Sequence, residues 1–328
     1  MAYDFVAIGD MTTDAFIRLK DAEEHVIHNT RELCLRFGEK VPYESVQEVR
    51  ATGNAANAAV AASRLGLRSA LISWVGDDEN GRECRETLRG KGVGDEFVTV
   101  ENGKKTNYHY VLMFGEERTI LIKHEDFSYH LPENFEPPRY LYFSSVSEHA
   151  REFEHDVATW AKAHPETKLA FQPGTFQVKL GAEELRDVLS ATELYFCNKE
   201  EARAMLRTEE TDAKNMMEDI RRLGPKVVCI TDGSNGAYLL DDSGAWHIPM
   251  FPDFTPAVNR TGAGDATAST TVAYISLGMK PIDALLRGLV NAAAVAQGVG
   301  AQTNLLSKDD IEDWYAKRPA DFTPEKLA

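Results

Sequence analysis

The 328-residue chain has 43% hydrophobic and 27% charged residues, ordinary for a globular protein with one large domain or two unequal ones. Its formal net charge of −16 argues against nucleic acid, which needs a basic footprint, and leaves open a small anionic substrate held by local backbone and lysine groups. Cys34, Cys84, Cys197 and Cys229 form no Cys-x-x-Cys pair, the first ten residues lack a signal peptide's basic and apolar regions, and no window reaches membrane-span length, so a reducing cytoplasm without membrane contact is expected.

Tyr3 to Ile8 is apolar and β-prone and ends at Gly9-Asp10, which predicts a buried strand. From about 12 to 50, Phe16, Ile17, Leu19, Leu33, Leu35, Phe37, Val41, Val46 and Val49 recur among charges. That alternation predicts half-buried strands of an antiparallel sheet, open on one side. Asp14, at the edge of this segment, reads equally well as a turn carboxylate. Thr52-Gly53-Asn54-Ala-Ala-Asn57 then opens an alanine-rich helix to Leu65, closed by Gly66. Gly53 lets the backbone pass near a ligand. Asn57 offers a donor and an acceptor to a hydroxyl, or serves as a cap.

Ala70 to Val75 reads as a strand and Asn80 to Lys91 as a helix. Between Lys105 and Lys123, Tyr108, Tyr110, Leu112, Phe114, Ile120 and Ile122 alternate around Gly115, the pattern of paired strands. Segments 12–50 and 105–128 are therefore expected to form one accessory sheet, a lid over a main domain of residues 1–11, 51–104 and 129–328. Beyond Pro132 the rhythm becomes strand and helix in turn. Strands are expected at Tyr140 to Ser144, Lys168 to Phe171, Glu193 to Cys197 and Val227 to Thr231, with helices at Glu152–Ala163, Ala182–Leu189, Lys199–Leu206 and Thr211–Leu223. Such alternation predicts a parallel sheet covered on both faces, with ligands beyond the carboxyl ends of the strands. Gln172, Asn198 and Asp232-Gly233 fall there.

Asn198 and Glu201 have the spacing of a capping box, or place a carboxylate and an amide near a magnesium ion and its waters. Thr231 to Leu240 reads as a hairpin in which Gly233 and Gly236 accept positive φ. Asn291 is the polar residue of an alanine-rich helix at Val290 to Val295, and the tail after Pro319 reads as a surface appendage. Between these lies Asn259-Arg-Thr-Gly-Ala-Gly-Asp-Ala-Thr267, small residues and one carboxylate ahead of a helical run that closes on Gly278. Gly262, Ala263 and Gly264 would present N–H groups at the helix start, where an anion is favoured, with Asp265 facing the same spot. An anion cradle beside a carboxylate suits phosphoryl transfer to a hydroxyl. A glycine turn capped by an aspartate is the plainer reading. The stretch is neither a dinucleotide fingerprint, since Thr267 stands for the third glycine, nor a Walker A loop.

Five of these motifs, in order from Gly9 to about Gln302, resemble the ribokinase-like (PfkB) carbohydrate and nucleoside kinase family: the 52–57 stretch with Leu65-Gly66, Asn198-x-x-Glu201, Thr231-x-Gly233-x-x-Gly236, Thr261 to Asp265, and Asn291 with its alanines. The resemblance implies a three-layer α/β domain of about nine strands, mostly parallel, with a β-sheet lid that often forms a dimer contact. It implies ATP and Mg²⁺, with Asp265 as general base on the acceptor alcohol and the 262–264 amides as anion hole. Asn198 and Glu201 would serve phosphates and metal. Thr231, Gly233, Gly236 and Asn291 would line the nucleotide site, and Asp14, Gly53 and Asn57 would hold acceptor hydroxyls.

The departures bear on the acceptor and the cation. Asn259-Arg260 replaces the family's Asp-Thr, which weakens the case for potassium activation. Thr52 replaces a glycine, Asn54 stands where ribokinases often carry lysine, and Gln172-Pro-Gly174 replaces a frequent Asp-x-Asn, so phosphate or metal contacts are expected to differ there. The downstream arginine of sugar-acid kinases is missing, which disfavours a keto-acid substrate. A sugar or nucleoside acceptor is expected, with Tyr108, Tyr110 and Phe114 as base-stacking candidates. A sugar phosphate met by Lys104, Lys105, Arg118 or Lys123 is the alternative, and a non-catalytic sensor on the same fold is a further one. A Rossmann oxidoreductase is disfavoured, because no glycine fingerprint follows the first strand.

Overall fold

A strand that is apolar on both sides must be covered on both sides, and this requirement organises the larger sheet. The computed structural model describes residues 2–27, 30–115, 117–133 and 135–327. Its first half contains β1 (Phe5–Ile8), β2 (Thr12–Leu19), β3 (Glu23–Ile27), β4 (Thr30–Cys34), β5 (Tyr43–Thr52), α1 (Asn54–Arg64), β6 (Ser69–Gly76), α2 (Glu79–Gly90), β7 (Val93–Gly94), β8 (Val98–Glu101), β9 (Asn107–Phe114), β10 (Glu117–Leu121) and β11 (Tyr140–Phe143). There follow α3 (Arg151–Ala163), β12 (Lys168–Phe171), α4 (Thr175–Leu180), α5 (Arg186–Ala191), β13 (Thr192–Asn198), α6 (Lys199–Leu206), α7 (Ala213–Arg222) and β14 (Val227–Thr231). The chain closes with β15 (Ala237–Asp241), β16 (Gly244–Ile248), α8 (Ala263–Ser276), α9 (Pro281–Val295), α10 (Lys308–Ala316) and β17 (Glu325–Lys326).

The large sheet has eleven strands in the order β17-β16-β15-β14-β13-β12-β11-β1-β6-β7, with β8 on β6. From β7 to β14 the pairs are parallel, and β15, β16 and β17 extend the edge antiparallel. Alternate residues enter two cores. Phe5 and Ala7 join Tyr142, Phe196 and the helices α1, α8 and α9 on one face, while Val6 and Ile8 join Phe143, Tyr195 and α3, α6 and α7 on the other. The result is a three-layer α/β domain with the strand ends opening on one edge.

Asp265 reaches that edge because α8 is buried along nearly its whole length. Three of its hydroxyls bond back within the helix: Thr267 Oγ1 donates to the Ala263 carbonyl at 2.9 Å, Ser269 Oγ to the Asp265 carbonyl at 2.6 Å and Thr271 Oγ1 to the Thr267 carbonyl at 2.7 Å. Alanines 55, 56, 58, 59, 61 and 62 of α1 are fully buried beside it, and their small side chains allow close approach.

The smaller sheet has the order β10-β9-β2-β5, and β3 and β4 form a separate hairpin. It is mixed rather than antiparallel as expected, because β2 and β9 run parallel, Asp14 opposite His109. Strands from two distant segments meet there, so no hairpin fixes their direction. Buried Asp10 ties the segment after β10 back to the main core, pairing with His124 and accepting from the Tyr129 hydroxyl at 3.0 Å.

Two further expectations fail. The helix expected at Ala182–Leu189 starts only at Arg186, since Gly181 (φ 83°) ends α4 and the Ala182 N–H donates to the Met205 carbonyl at 2.9 Å. The tail is no appendage: Phe322 is fully buried, 5.0 Å from Phe251 ring to ring, and β17 adds the last strand to the large sheet. Among the described residues no helix is long and apolar enough to cross a membrane, and all four cysteines are unpaired.

Candidate active site

At the carboxyl ends of the parallel strands lies a cavity of about 800 Å³. Its lining includes Gln172 after β12, Asn198 and Glu201 after β13, Thr231 to Gly236 after β14, and residues 260–265 at the start of α8. Arg118 and Ile120 border it from β10.

Asp265 is held by three side-chain amides. Asn54 Nδ2 donates to Oδ1 at 3.1 Å, Gln172 Nε2 to Oδ1 at 3.0 Å and Asn57 Nδ2 to Oδ2 at 2.7 Å. Burial pushes the carboxyl up from its ordinary value, and the bonds from Asn57 and Gln172 pull it back. Asp14 adds to the upward push, and Arg118 opposes it. A carboxylate has about four acceptor sites, so three donors leave room for one hydroxyl.

Gly262 turns the chain into α8 with φ 84°, and a Cβ there would lie 2.2 Å from that of Ala301. A residue with a side chain fits neither the backbone nor the space. The first-turn N–H of Gly264 has no carbonyl within the helix to meet. The Ala263 N–H, by contrast, bonds the Arg260 carbonyl at 3.3 Å, so of the three expected donors it is already engaged.

Other candidates sort by what their atoms touch. Gly53 caps α1 at φ 104°, where a Cβ would come 2.4 Å from the Asp10 carbonyl, so it serves a close backbone crossing. Asn57 is buried, and besides donating to Asp265 it accepts from Gln302 Nε2 at 2.9 Å, so both ends of its amide are used within the protein. Asp14 lies 3.4 Å from His109 Nδ1, and Asp14 Oδ1 and His109 Nε2 are buried without hydrogen-bond partners.

Asn198 and Glu201 do form the capping box, with Asn198 Oδ1 accepting from the Glu201 N–H and Glu201 Oε2 from the Asn198 N–H, both at 2.8 Å. They line the cavity as well. Burial pushes the Glu201 carboxyl up, and Asp265 adds to this. Thr231, Gly233 and Gly236 lie together on the same wall, in a tight turn between β14 and β15.

Asn291 requires correction. It is fully buried between α8 and α9, donating to Thr270 Oγ1 at 2.8 Å and accepting from the Leu306 N–H at 2.9 Å. Its neighbours Ala292 and Ala293 line the cavity instead. The stacking candidates fall on the wrong face too. Arg118 and Ile120, which border the cavity, pair with Met113 and Val111, so Tyr108, Tyr110 and Phe114 at the alternate positions point away. Tyr108 donates its hydroxyl to Glu48 at 2.6 Å. Asn54 and Gln172 were visible in the sequence as departures from a pattern, and nothing local showed that both would meet Asp265.

This fold and this carboxylate beside an open helix start define the class of sugar and nucleoside kinases. The comparisons agree. Residues 19–308 match the pfkB family carbohydrate kinase model, and the chain belongs to that family. It is 27% identical over 223 residues to an ATP-dependent ribose-1-phosphate kinase of Halopiger xanaduensis, covering 67% of this chain and 72% of that one. It is 26% identical over 286 residues to a ribokinase of Bacillus subtilis, covering 85% and 92%. The structure of Arabidopsis thaliana ribokinase complexed with ribose and ATP superposes with a TM-score of 0.77 at 18% identity, over 96% of this chain and 99% of that one. The protein is a carbohydrate or nucleoside kinase of this family.

Proposed function

We propose that the protein transfers the γ-phosphoryl of ATP to an alcohol of a small sugar or nucleoside acceptor, with Asp265 as the general base. The observation that carries this is the Asp265 carboxylate, held by three amide donors with one acceptor site to spare, beside the first-turn N–H of Gly264. A hydroxyl seated there loses its proton to Asp265 as it attacks, and the helix start stabilises the phosphoryl charge. The nucleotide takes the wall from Thr231 to Gly236, and a ribokinase of the same fold is known with ribose and ATP.

The donor set near the phosphates fits a magnesium ion only loosely bound by protein. Among the described residues no three acidic, His or Cys side chains cluster as a cage, and Glu201 uses one oxygen, Oε2, in its cap. Magnesium carried in with phosphates keeps much of its water and needs no cage. When bound, it neutralises phosphate charge. Glu201 and Asn198 are the residues that would meet its shell.

The small sheet acts as a lid whose inner face selects the acceptor. Asp14 and His109, buried with unpaired polar atoms, are placed to take acceptor hydroxyls. Arg118 favours a second reading, a phosphorylated sugar, because it brings a guanidinium to the cavity and one relative is a ribose-1-phosphate kinase. Of the other cations, Lys123 pairs with Glu125 at 2.5 Å and Lys104 bonds the Asp126 carbonyl at 2.5 Å, which draws both away from that role. On the outer face Val46, Tyr110 and Leu121 are about half exposed, and a second copy of the chain is the proposed cover.

The test is ADP release from Mg·ATP across sugars, sugar phosphates and nucleosides, with and without K⁺. One strong acceptor fixes the substrate. Preference for a phosphorylated acceptor that Arg118→Met abolishes selects the second reading. Independence of K⁺ is expected, since Asn259 spends its side-chain oxygen on the Thr261 N–H at 2.6 Å. ATP binding with no ADP from any acceptor would overturn the kinase reading in favour of a sensor.

A further inference from the structure

Behind Asn57 runs a chain of hydrogen bonds that ends at a lysine. Asn57 Oδ1 accepts from Gln302 Nε2 at 2.9 Å, the same Nε2 donates to the Ala51 carbonyl at 2.6 Å, and Gln302 Oε1 accepts from the Lys91 ammonium. An ammonium can only donate and a carbonyl can only accept, so Gln302 fits between them in one orientation. Its amino group then fixes Asn57, with Oδ1 toward Gln302 and Nδ2 toward Asp265. Turning Asn57 over would set two amino groups against each other.

The residues of this chain come from distant places. Lys91 follows α2, Gln302 lies in the loop after α9, and Ala51 sits near the end of β5, where the small sheet joins α1. Ala51 holds the left-handed backbone, φ 56°, that a residue with a Cβ rarely adopts, and its N–H and carbonyl are taken by Cys84 Sγ and Gln302. Neither Lys91 nor Gln302 lines the cavity.

We propose that Lys91 and Gln302 are positioning residues that act through Asn57 to keep Asp265 in its carboxylate form. The inference rests on the reading of Asp265 as the base. A protonated Asp265 needs an acceptor for its hydrogen, and a freely turning Asn57 would supply one with its carbonyl oxygen. The Gln302 contact removes that option and leaves the ionised form unaffected, since Asn57 then only donates. The neighbours of Asp265 pull in both directions: Asp14 on β2 and Glu201 on α6 oppose its charge, and Arg118 on β10 supports it. Tyr142 on β11, kept neutral by burial, holds Gln172 by its oxygen from behind. The Lys91–Gln302 chain counters burial through orientation.

The test compares wild type with Gln302→Met and with the Lys91→Met/Gln302→Met double variant, which removes the ammonium that the single variant leaves unpaired. The titration of Asp265 is followed through the side-chain amide NMR signal of Asn57, and separately through the acidic limb of kcat against pH. Both midpoints are expected to move up by about one pH unit, the size of one altered hydrogen bond to a charged group. Above the limb, kcat should stay within about twofold of wild type and KM for ATP should hold. An unmoved NMR midpoint, or an equal loss of kcat at every pH, overturns the proposal. The NMR midpoint does not depend on turnover. If it moves while Asp265→Asn retains full turnover, the base assignment fails and the positioning chain stands.

Discussion

In the large sheet β1 is buried at all four residues, whereas in the small sheet β10 is exposed at all five. Both are short strands, but β1 is apolar throughout and β10 carries Glu117, Arg118 and Thr119 beside Ile120 and Leu121, and their cover differs accordingly. Helices close both faces of the large sheet, and the small sheet is covered on one face only, over the cavity. The closed region holds Asp265 and its three amide donors by packing and hydrogen bonds. The open one presents Asp14, His109 and Arg118 from β2, β9 and β10. On this contrast, changes in the core should strike kcat and stability, and changes in the small sheet should strike acceptor choice and association.

The largest effect is expected from Asp265→Asn, a loss in turnover of about 10²–10⁴ with ATP affinity retained, measured by ADP release and calorimetric binding. Full turnover in that variant would move the chemistry out of the core. Next comes the tail, where Phe322→Ala should cost about 3–5 kcal/mol in urea unfolding, as for a buried aromatic. A value near zero would restore the view of the tail as an appendage.

The helix start offers a paired test. Gly262→Ala places a Cβ at φ 84° against Ala301 and should lower stability by about 1–2 kcal/mol or more, while Gly264→Ala, with nothing within 4 Å, should fold as wild type and lose activity if the cradle is used. Equal melting temperatures for the two would break the distinction. Buried Glu154, on α3, gives a pH signature: burial pushes its carboxyl up to about 7. The folded state then keeps a proton that the unfolded state loses, so stability falls as pH rises from the unfolded value near 4.5 to about 7 and levels off above. Glu154→Gln should remove that fall, about 3 kcal/mol, seen as a melting-temperature gap that widens from about pH 5 to pH 8. The smallest effect belongs to the outer small-sheet face. Tyr110→Lys should change stability by less than about 0.5 kcal/mol, yet shift sedimentation from dimer to monomer if that face pairs.

Alternation, alanine content and the glycine turns were enough to anticipate the parallel sheet, the strand Val227–Thr231, the helix Lys199–Leu206 and the placement of Gln172, Asn198 and Gly233 around one cavity. Those features are local, set by side-chain period and by which residues tolerate a turn. The same information could not tell whether β2 and β9 run parallel, because strands 95 residues apart carry no mark of their mutual direction. It misread Asn291, whose amide reads alike whether a ligand or Thr270 and the Leu306 N–H satisfy it. It placed Tyr108 and Tyr110 in the small sheet without saying which face the cavity would take.

By itself, then, the sequence determined most of the elements, the α/β class and Asp265 at a helix start, because each follows from neighbours within a few residues. Only the tertiary structure decided which side chains meet that carboxylate. Asn54, Asn57, Gln172, Gln302 and Lys91 come from four stretches of chain, and their donor and acceptor ends acquire direction only once packing brings them into contact.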